Sequence, residues 1–189
     1  MGVQLYNDVV KLRALEPQDI DLLYQIENDH KLWKVSNTYS PYSKYVLQQY
    51  LDNSHLDIYT AKQLRLVIES VDDNEVVGLI DLFDFEPFHL RAGVGIVIKD
   101  SHKGKGLAYE AVEVLMQYCK THLGLHQIYC SILEDNIVSQ RLFEKHGFLH
   151  MGTKKEWVRV GDEFVDEHFP LCSFLLVYLR MILIFDNIS

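Results

Sequence analysis

Three observations on the sequence predict a single α/β domain, a mixed sheet covered by helices. Short apolar runs of strand type alternate with segments whose apolar residues recur at helical spacing. The loop Lys103-Gly104-Lys105-Gly106-Leu107-Ala108 joins an apolar run at 95–98 to a helix-patterned segment at 109–122. No repeat, low-complexity tract or linker divides the 189 residues, a length that suits one domain with a sizeable core.

Taken in order, residues 9–15 alternate partly and read as the first strand. Glu16-Pro17-Gln18-Asp19 begins a helix, because proline and acids belong in a first turn, and Ile20, Leu23 and Tyr24 follow at helical spacing. Residues 28–41 are polar and aromatic, with Trp33 and Tyr39, and a second helix is expected near 43–51. Residues 63–69 and 75–84 flank the turn cluster Val71-Asp72-Asp73-Asn74 and form a hairpin. Side chains alternate along a strand, so Asp81 and Asp84 share a face only if the second strand bulges. Pro87 ends it. Residues 92–98 form the strand that feeds the glycine loop, and Gly93 and Gly95 within it signal a bulge or a close backbone approach.

The segment 109–122 carries Ala111, Leu115, Tyr118, Val112 and Cys119 at helical spacing. A strand is expected at 127–132, then a helix capped by Asn136 and closed at Gly147. Strands follow near 149–152, 156–160 and, after a Gly161-Asp162 turn, 163–169. The first 170 residues are expected to form the domain, and 171–189 an apolar extension that is not a separate domain. From Leu171 to Phe185 only Ser173 and Arg180 interrupt the apolar run, which is shorter than the roughly 20 residues a bilayer span needs. A strand or helix buried against the domain or a partner subunit is expected, not a membrane anchor.

Eighteen basic residues against 27 acidic ones give a net charge of −9, which argues against nucleic acid and favours a cationic partner. The first eight residues show no basic segment followed by an apolar one, so no signal peptide is expected and the cytoplasm is the expected location. Cys119, Cys130 and Cys172 lie widely spaced in apolar runs, as reduced buried thiols do. His122 and His126 are separated by Gly124 at a helix end, and no metal site is expected.

Strand, glycine loop and helix make a phosphate site. Gly104 and Gly106 allow positive φ and a close backbone approach, the free N–H groups of the helix point into the loop, and Lys103 and Lys105 add local positive charge. The loop is not G-x-x-x-x-G-K-[ST], and Tyr109 stands where G-x-G-x-x-G needs its third glycine. K-G-K-G-L-A at 103–108, followed by N-x-x-S-x-x-L-F-E-K-H-G-F at 136–148, resembles the two acyl-CoA motifs of the GCN5-related N-acetyltransferase (GNAT) superfamily. Residues 12–169 look most like the branch holding spermidine N-acetyltransferases and ribosomal-protein alanine N-acetyltransferases.

The resemblance implies a mostly antiparallel sheet with helices on both faces, splayed where the strand at 92–98 leaves the strand at 127–132. It implies acetyl transfer from acetyl-CoA to a primary amine, either a small amine such as a polyamine or a protein N-terminus, by direct attack in a ternary complex. The backbone of Ile96, Val97 and Ile98 would pair with pantetheine, and the amides of Lys103, Gly104, Lys105, Gly106, Leu107 and Ala108 would bind pyrophosphate. Asn136, Ser139, Phe143 and Lys145 would complete the cofactor site. Many relatives carry a tyrosine at Phe143, to protonate the leaving thiolate, and a glutamate at Gly93; this chain lacks both. Asp84, matching an acidic position near the polyamine site, is the candidate acceptor-side acid, with Asp81 and His89 as alternatives. The paired acids of spermidine enzymes in the loop after the first helix are replaced by Asn37-Thr38-Tyr39-Ser40-Pro41, which weighs against a polyamine, whereas the net charge leaves it open. A non-catalytic acyl-CoA-binding module is the alternative, and a homo-oligomer, formed in part through the apolar tail, is the expected assembly.

Overall fold

The computed structural model describes residues 4–36 and 38–174. Its strands are β1 (Val10–Ala14), β2 (Leu64–Ser70), β3 (Val76–Glu86), β4 (Arg91–Ile98), β5 (Gln127–Tyr129), β6 (Ile132–Leu133), β7 (Leu149–Val160) and β8 (Glu163–Ser173). They form one sheet in the order β1-β2-β3-β4-β5-β8-β6, with β7 paired to β8. Among the described residues β4–β5 is the one parallel pair; the other pairs are antiparallel. The helices are α1 (Ile20–Glu27), α2 (His30–Ser36), α3 (Lys44–Asp52), α4 (Ile58–Ala61), α5 (Leu107–Thr121) and α6 (Ile137–Lys145).

Alternation along the central strands explains the two layers. Leu66, Ile68, Ile80, Leu82, Ala92 and Val94 pack with Ala111, Val112, Leu115 and Cys119 of α5 in the larger core. Their neighbours Val67 and Leu79 face the other way and pack with Leu22, Leu23, Leu47 and Leu51 of α1 and α3. Each fully buried aliphatic side chain contributes about 1.5–3 kcal/mol, so the sheet is held from both faces. All three cysteines are free and buried, and burial pushes the Cys119 thiol up to about 12 and that of Cys172 to about 11.

The structure departs from the sequence reading in four places. The strand expected at 127–132 is two short strands, β5 and β6, broken at Cys130 and Ser131. Residues 28–41 contain the short helix α2, and α4 was not expected. The strands expected near 149–152 and 156–160 are one strand, β7, with pairing irregularities between His150 and Thr153 and between Lys154 and Val158. Its middle, Thr153-Lys154-Lys155-Glu156, lacks apolar alternation and is held by cross-strand charge: Lys154 meets Glu167 at 2.6 Å, and Lys155 meets Asp166. Finally, β8 runs to Ser173, so Leu171, Cys172 and Ser173 pair with Tyr129, Ile128 and Gln127 inside the sheet. Residues 175–189 of the expected apolar extension lie outside the described residues.

Two local features matter for the site. In β3 the register shifts between Phe83 and Glu86, with Asp84 at φ +48. Phe83 pairs with Gly93, and a Cβ on Gly93 would lie 2.2 Å from the Phe83 ring. Ring and glycine are therefore one steric unit. Gly93→Ala is expected to cost about 1–3 kcal/mol in urea unfolding, and Phe83→Ala in the same chain should recover part of that loss. Additive effects of the two substitutions would show that the ring moves aside freely.

The start of α1 is tied to β1 by Asp19, which is 4% exposed. Its carboxylate accepts from Arg13 at 2.7 and 3.0 Å and from the Glu16 amide at 2.8 Å. Burial works against its charge, yet these bonds outweigh it and hold the carboxyl below the usual carboxylate range. A group depressed in this way stabilises the fold above its unfolded value, near pH 4, and that contribution is lost as pH falls through its lower folded value. Acid unfolding curves should therefore show a smaller loss between pH 5 and the acid limit for Asp19→Asn than for the wild type, from a lower starting stability.

Candidate active site

The parallel ladder between β4 and β5 covers only Arg91, Ala92 and Gly93 against Gln127, Ile128 and Tyr129. Beyond Gly93 the strand β4 continues to Ile98 while β5 stops, and the sheet opens. The opening is a cleft of about 450 Å³. Val94, Gly95, Ile96 and Val97 form one lip, and Ser131, Leu133, Asn136, Ser139 and Phe143 belong to the other. Helix α2 reaches across: Lys31 lies 3.5 Å from Asp100, beyond the end of β4, and Lys34 lies 3.1 Å from Asp135, before α6.

The predicted cofactor residues divide into two groups. Ile96, Val97, Asn136, Ser139 and Phe143 line the cleft. Asn136 caps α6 by accepting from the Ser139 amide at 3.1 Å. Phe143 is 3% exposed and packs edge-on against Phe148. Ile98 packs against the core, and Lys103, Gly104, Lys105, Gly106, Leu107, Ala108 and Lys145 lie outside the cleft. Residues 103–108 surround the start of α5, and Lys145 stands in the last turn of α6. Gly104 and Gly106 have φ +79 and +81, and nothing lies within 4 Å of where their Cβ atoms would be. Gly106 is the N-cap of α5 and offers no side-chain acceptor to the first turn, so the helix end is open to an anion. Lys103 is held by Asp100 at 2.6 Å, while Lys105 and Lys145 are exposed.

On the acceptor side the cleft is lined by Glu27, Tyr50, Arg65, Asp81, Phe83 and Asp84. The bulge in β3 brings Asp81 and Asp84 to the same cleft. They are not equivalent. Asp81 accepts two bonds from Arg65, at 2.8 and 3.0 Å, and Glu27 accepts a third from the same guanidinium. Burial opposes the Arg65 charge, and the surrounding carboxylates outweigh it and raise its value. Asp84 is exposed at the bulge. The Tyr129 phenol is pushed up by burial and then by the Asp84 and Glu86 carboxylates, which places Tyr129 beside Asp84. His89 is exposed, 3.8 Å from Glu86, and does not line the cleft. The sequence reading missed Arg65, although a lone arginine among Leu64, Leu66 and Val67 is itself a signal of a buried ion pair.

The family model described as "Acetyltransferase (GNAT) domain" matches residues 10–149. The chain belongs to the GNAT family. The spermidine N(1)-acetyltransferase of Vibrio cholerae is 29% identical over 160 residues, covering 85% of this chain and 90% of that protein. That of Escherichia coli is 32% identical over 139 residues, covering 74% and 72%. Among solved structures, V. cholerae spermidine N-acetyltransferase in complex with CoA and spermine superposes with a TM-score of 0.80 at 24% identity, over 88% of this chain and 96% of that one. A dodecameric form of that enzyme, in an intermediate state, gives 0.73 at 27% identity, over 88% and 95%.

The GNAT chain is an acetyl-CoA-dependent N-acetyltransferase. The residues present fit coenzyme A: an open lip on β4 for the pantetheine arm, and an uncapped helix start behind two positive-φ glycines for the phosphates. No helix among the described residues is long and apolar enough to cross a membrane, and no metal-binding cluster is found among them.

Asp81→Asn should destabilise the fold by about 1–3 kcal/mol, because it leaves Arg65 with fewer acceptors, whereas Asp84→Asn should shift thermal unfolding little. Equal shifts for the two variants would contradict the division between an ion-paired and an exposed carboxylate.

Proposed function

We propose that the enzyme acetylates a primary amine of a polyamine by direct attack within a ternary complex. The observation that carries this reading is the acceptor cleft: Glu27, Asp81, Asp84 and Glu167 line it against Arg65 and Lys34, with Lys154 paired to Glu167 from β7. Arg65 is shared by Glu27 and Asp81, and Lys34 is turned to Asp135, so the cleft favours a polycation. Phe83 and Tyr50 add apolar wall for the methylene segments. The relatives named spermidine N(1)-acetyltransferase point the same way. The acids that the loop at 37–41 lacks are thus supplied from α1 and β3.

In this reading Ile96, Val97 and Ile98 hold the pantetheine arm by their backbone, and Asn136, Ser139 and Phe143 face it from the other lip. The amides of residues 103–108, with Lys145, hold the phosphates. Asp84 takes the proton from the attacking ammonium and passes it to water. The nitrogen lone pair forms the C–N bond as the C–S bond breaks, the nitrogen gives its second proton to water, and the thiolate leaves without a proton from Phe143. A β4 amide polarises the carbonyl. Orientation of amine and thioester supplies most of the acceleration. The domain extends through β8 to Ser173, and the enzyme works as a homo-oligomer, as its dodecameric relative does.

The test is release of free coenzyme A from acetyl-CoA against polyamines, amino sugars, amino acids and short peptides. Turnover is expected with spermidine or spermine. Gly104→Glu should raise KM for acetyl-CoA at least about tenfold, since it puts charge and bulk where phosphate binds. Asp84→Asn should lower kcat/KM for the polyamine about 10²-fold or more with acetyl-CoA KM unchanged. Turnover confined to peptide N-termini would overturn the acceptor, and an unaffected Asp84→Asn would overturn the base.

A further inference from the structure

His146 caps the C-terminus of α6, and its side chain is fully buried. Its backbone amide bonds to Phe143 O at 3.0 Å, not to the carbonyl of Leu142 four residues back. The ring takes the vacated place: Nδ1 lies 2.9 Å from Leu142 O. The other nitrogen, Nε2, lies 3.1 Å from the carbonyl oxygen of Tyr109, in the first turn of α5. Both partners are carbonyl oxygens, which only accept. A neutral imidazole has one N–H, and an imidazolium has two. The two contacts are therefore hydrogen bonds together only when both nitrogens carry protons.

In the neutral ring one proton must choose. Leu142 O has no helical donor, whereas Tyr109 O lies inside α5, where the amide four residues on serves it. The single proton belongs on Nδ1, and a nitrogen lone pair then faces the Tyr109 oxygen. Deprotonation thus breaks the hydrogen bond that joins the two helices.

The geometry points to His146 as a positioning residue for the cofactor: doubly protonated, it ties the end of α6 to the first turn of α5, and losing one proton unties them. These helices carry the two halves of the cofactor site. Helix α5 begins at the glycine loop, and α6 begins at Asn136 in the cleft. The groups facing the ring are few. From α5, Glu113 Oε2 lies 3.8 Å from Nε2 and the Tyr109 ring stacks on the imidazole at 4.3 Å. From β8, the Cys172 thiol lies 4.0 Å from His146 O, and on α6 the adjoining Glu144 and Lys145 are exposed.

The experiment uses the full chain with coenzyme A alone, so an error in the assigned acceptor does not touch it. Coenzyme A affinity is measured by calorimetry from pH 6 to 8.5 for the wild type and His146→Gln, whose amide does not titrate. The phosphates of the ligand titrate alike in both. The wild type should lose roughly threefold to tenfold more affinity than the variant as pH rises, the span expected for one hydrogen bond. Binding and protonation are reciprocal, so side-chain 15N NMR should show the His146 ring keeping its second proton to higher pH when coenzyme A is added. Identical pH dependence in both proteins, or a ring titration that coenzyme A does not move, would overturn the proposal. If His146→Gln fails to fold, the NMR shift on the wild type decides alone.

Discussion

Everything at this site depends on a ladder that stops. Three residues of β4 pair in parallel with three of β5, and then the strands part. An unpaired strand edge inside a domain is costly unless something completes it, because backbone amides and carbonyls need partners. In this chain the free edge is one lip of a cleft, where it stays accessible to a ligand. Through the gap β4 keeps its other edge paired with β3, from Gly93 opposite Phe83 to Ile98 opposite Gly78, and Val94 stays buried in the core on the α5 face.

At Gly93 the Phe83 ring occupies the space a side chain would need. Of the carboxylates that line the cleft, two stand on β3. One of them, Asp81, is committed to Arg65, and burial of that pair makes it part of the scaffold. The other, Asp84, is carried at positive φ on the exposed side of the bulge, a conformation aspartate tolerates better than most residues. Phe143 closes the far wall as a packed ring with no proton to give.

The parts legible in the sequence were those with local chemistry. Gly104, Gly106 and Asn136 announce a phosphate loop and a helix cap through their own backbone preferences, and the structure has Asn136 as the cap and both glycines at positive φ. The long helices and the hairpin showed their periodicity. What stayed hidden depends on pairs far apart in the chain. The contact of Phe83 with Gly93, the sharing of Arg65 by Glu27 and Asp81, and the ring of His146 against Tyr109 leave no period to read. Helix α2 has no buried residue, so no apolar stripe marked it. The middle of β7 failed for the opposite reason: its pairing rests on lysines opposite acids, which read as a loop.

The strand β8 lies between β5 and β6, and it also pairs with β7. It is the last strand in chain order among the described residues, yet the lip that carries Asn136 is joined to the rest of the sheet through it. On a ribosome the chain emerges from its N-terminus, at about 5–20 residues per second. The β1–β4 hairpins and α5 are then free to assemble early, while the second lip waits for residues 163–173. Until those arrive, the nascent enzyme has half a cofactor site and an apolar sheet edge at β5. Closure of the second lip of the cleft thus waits on the synthesis of β8.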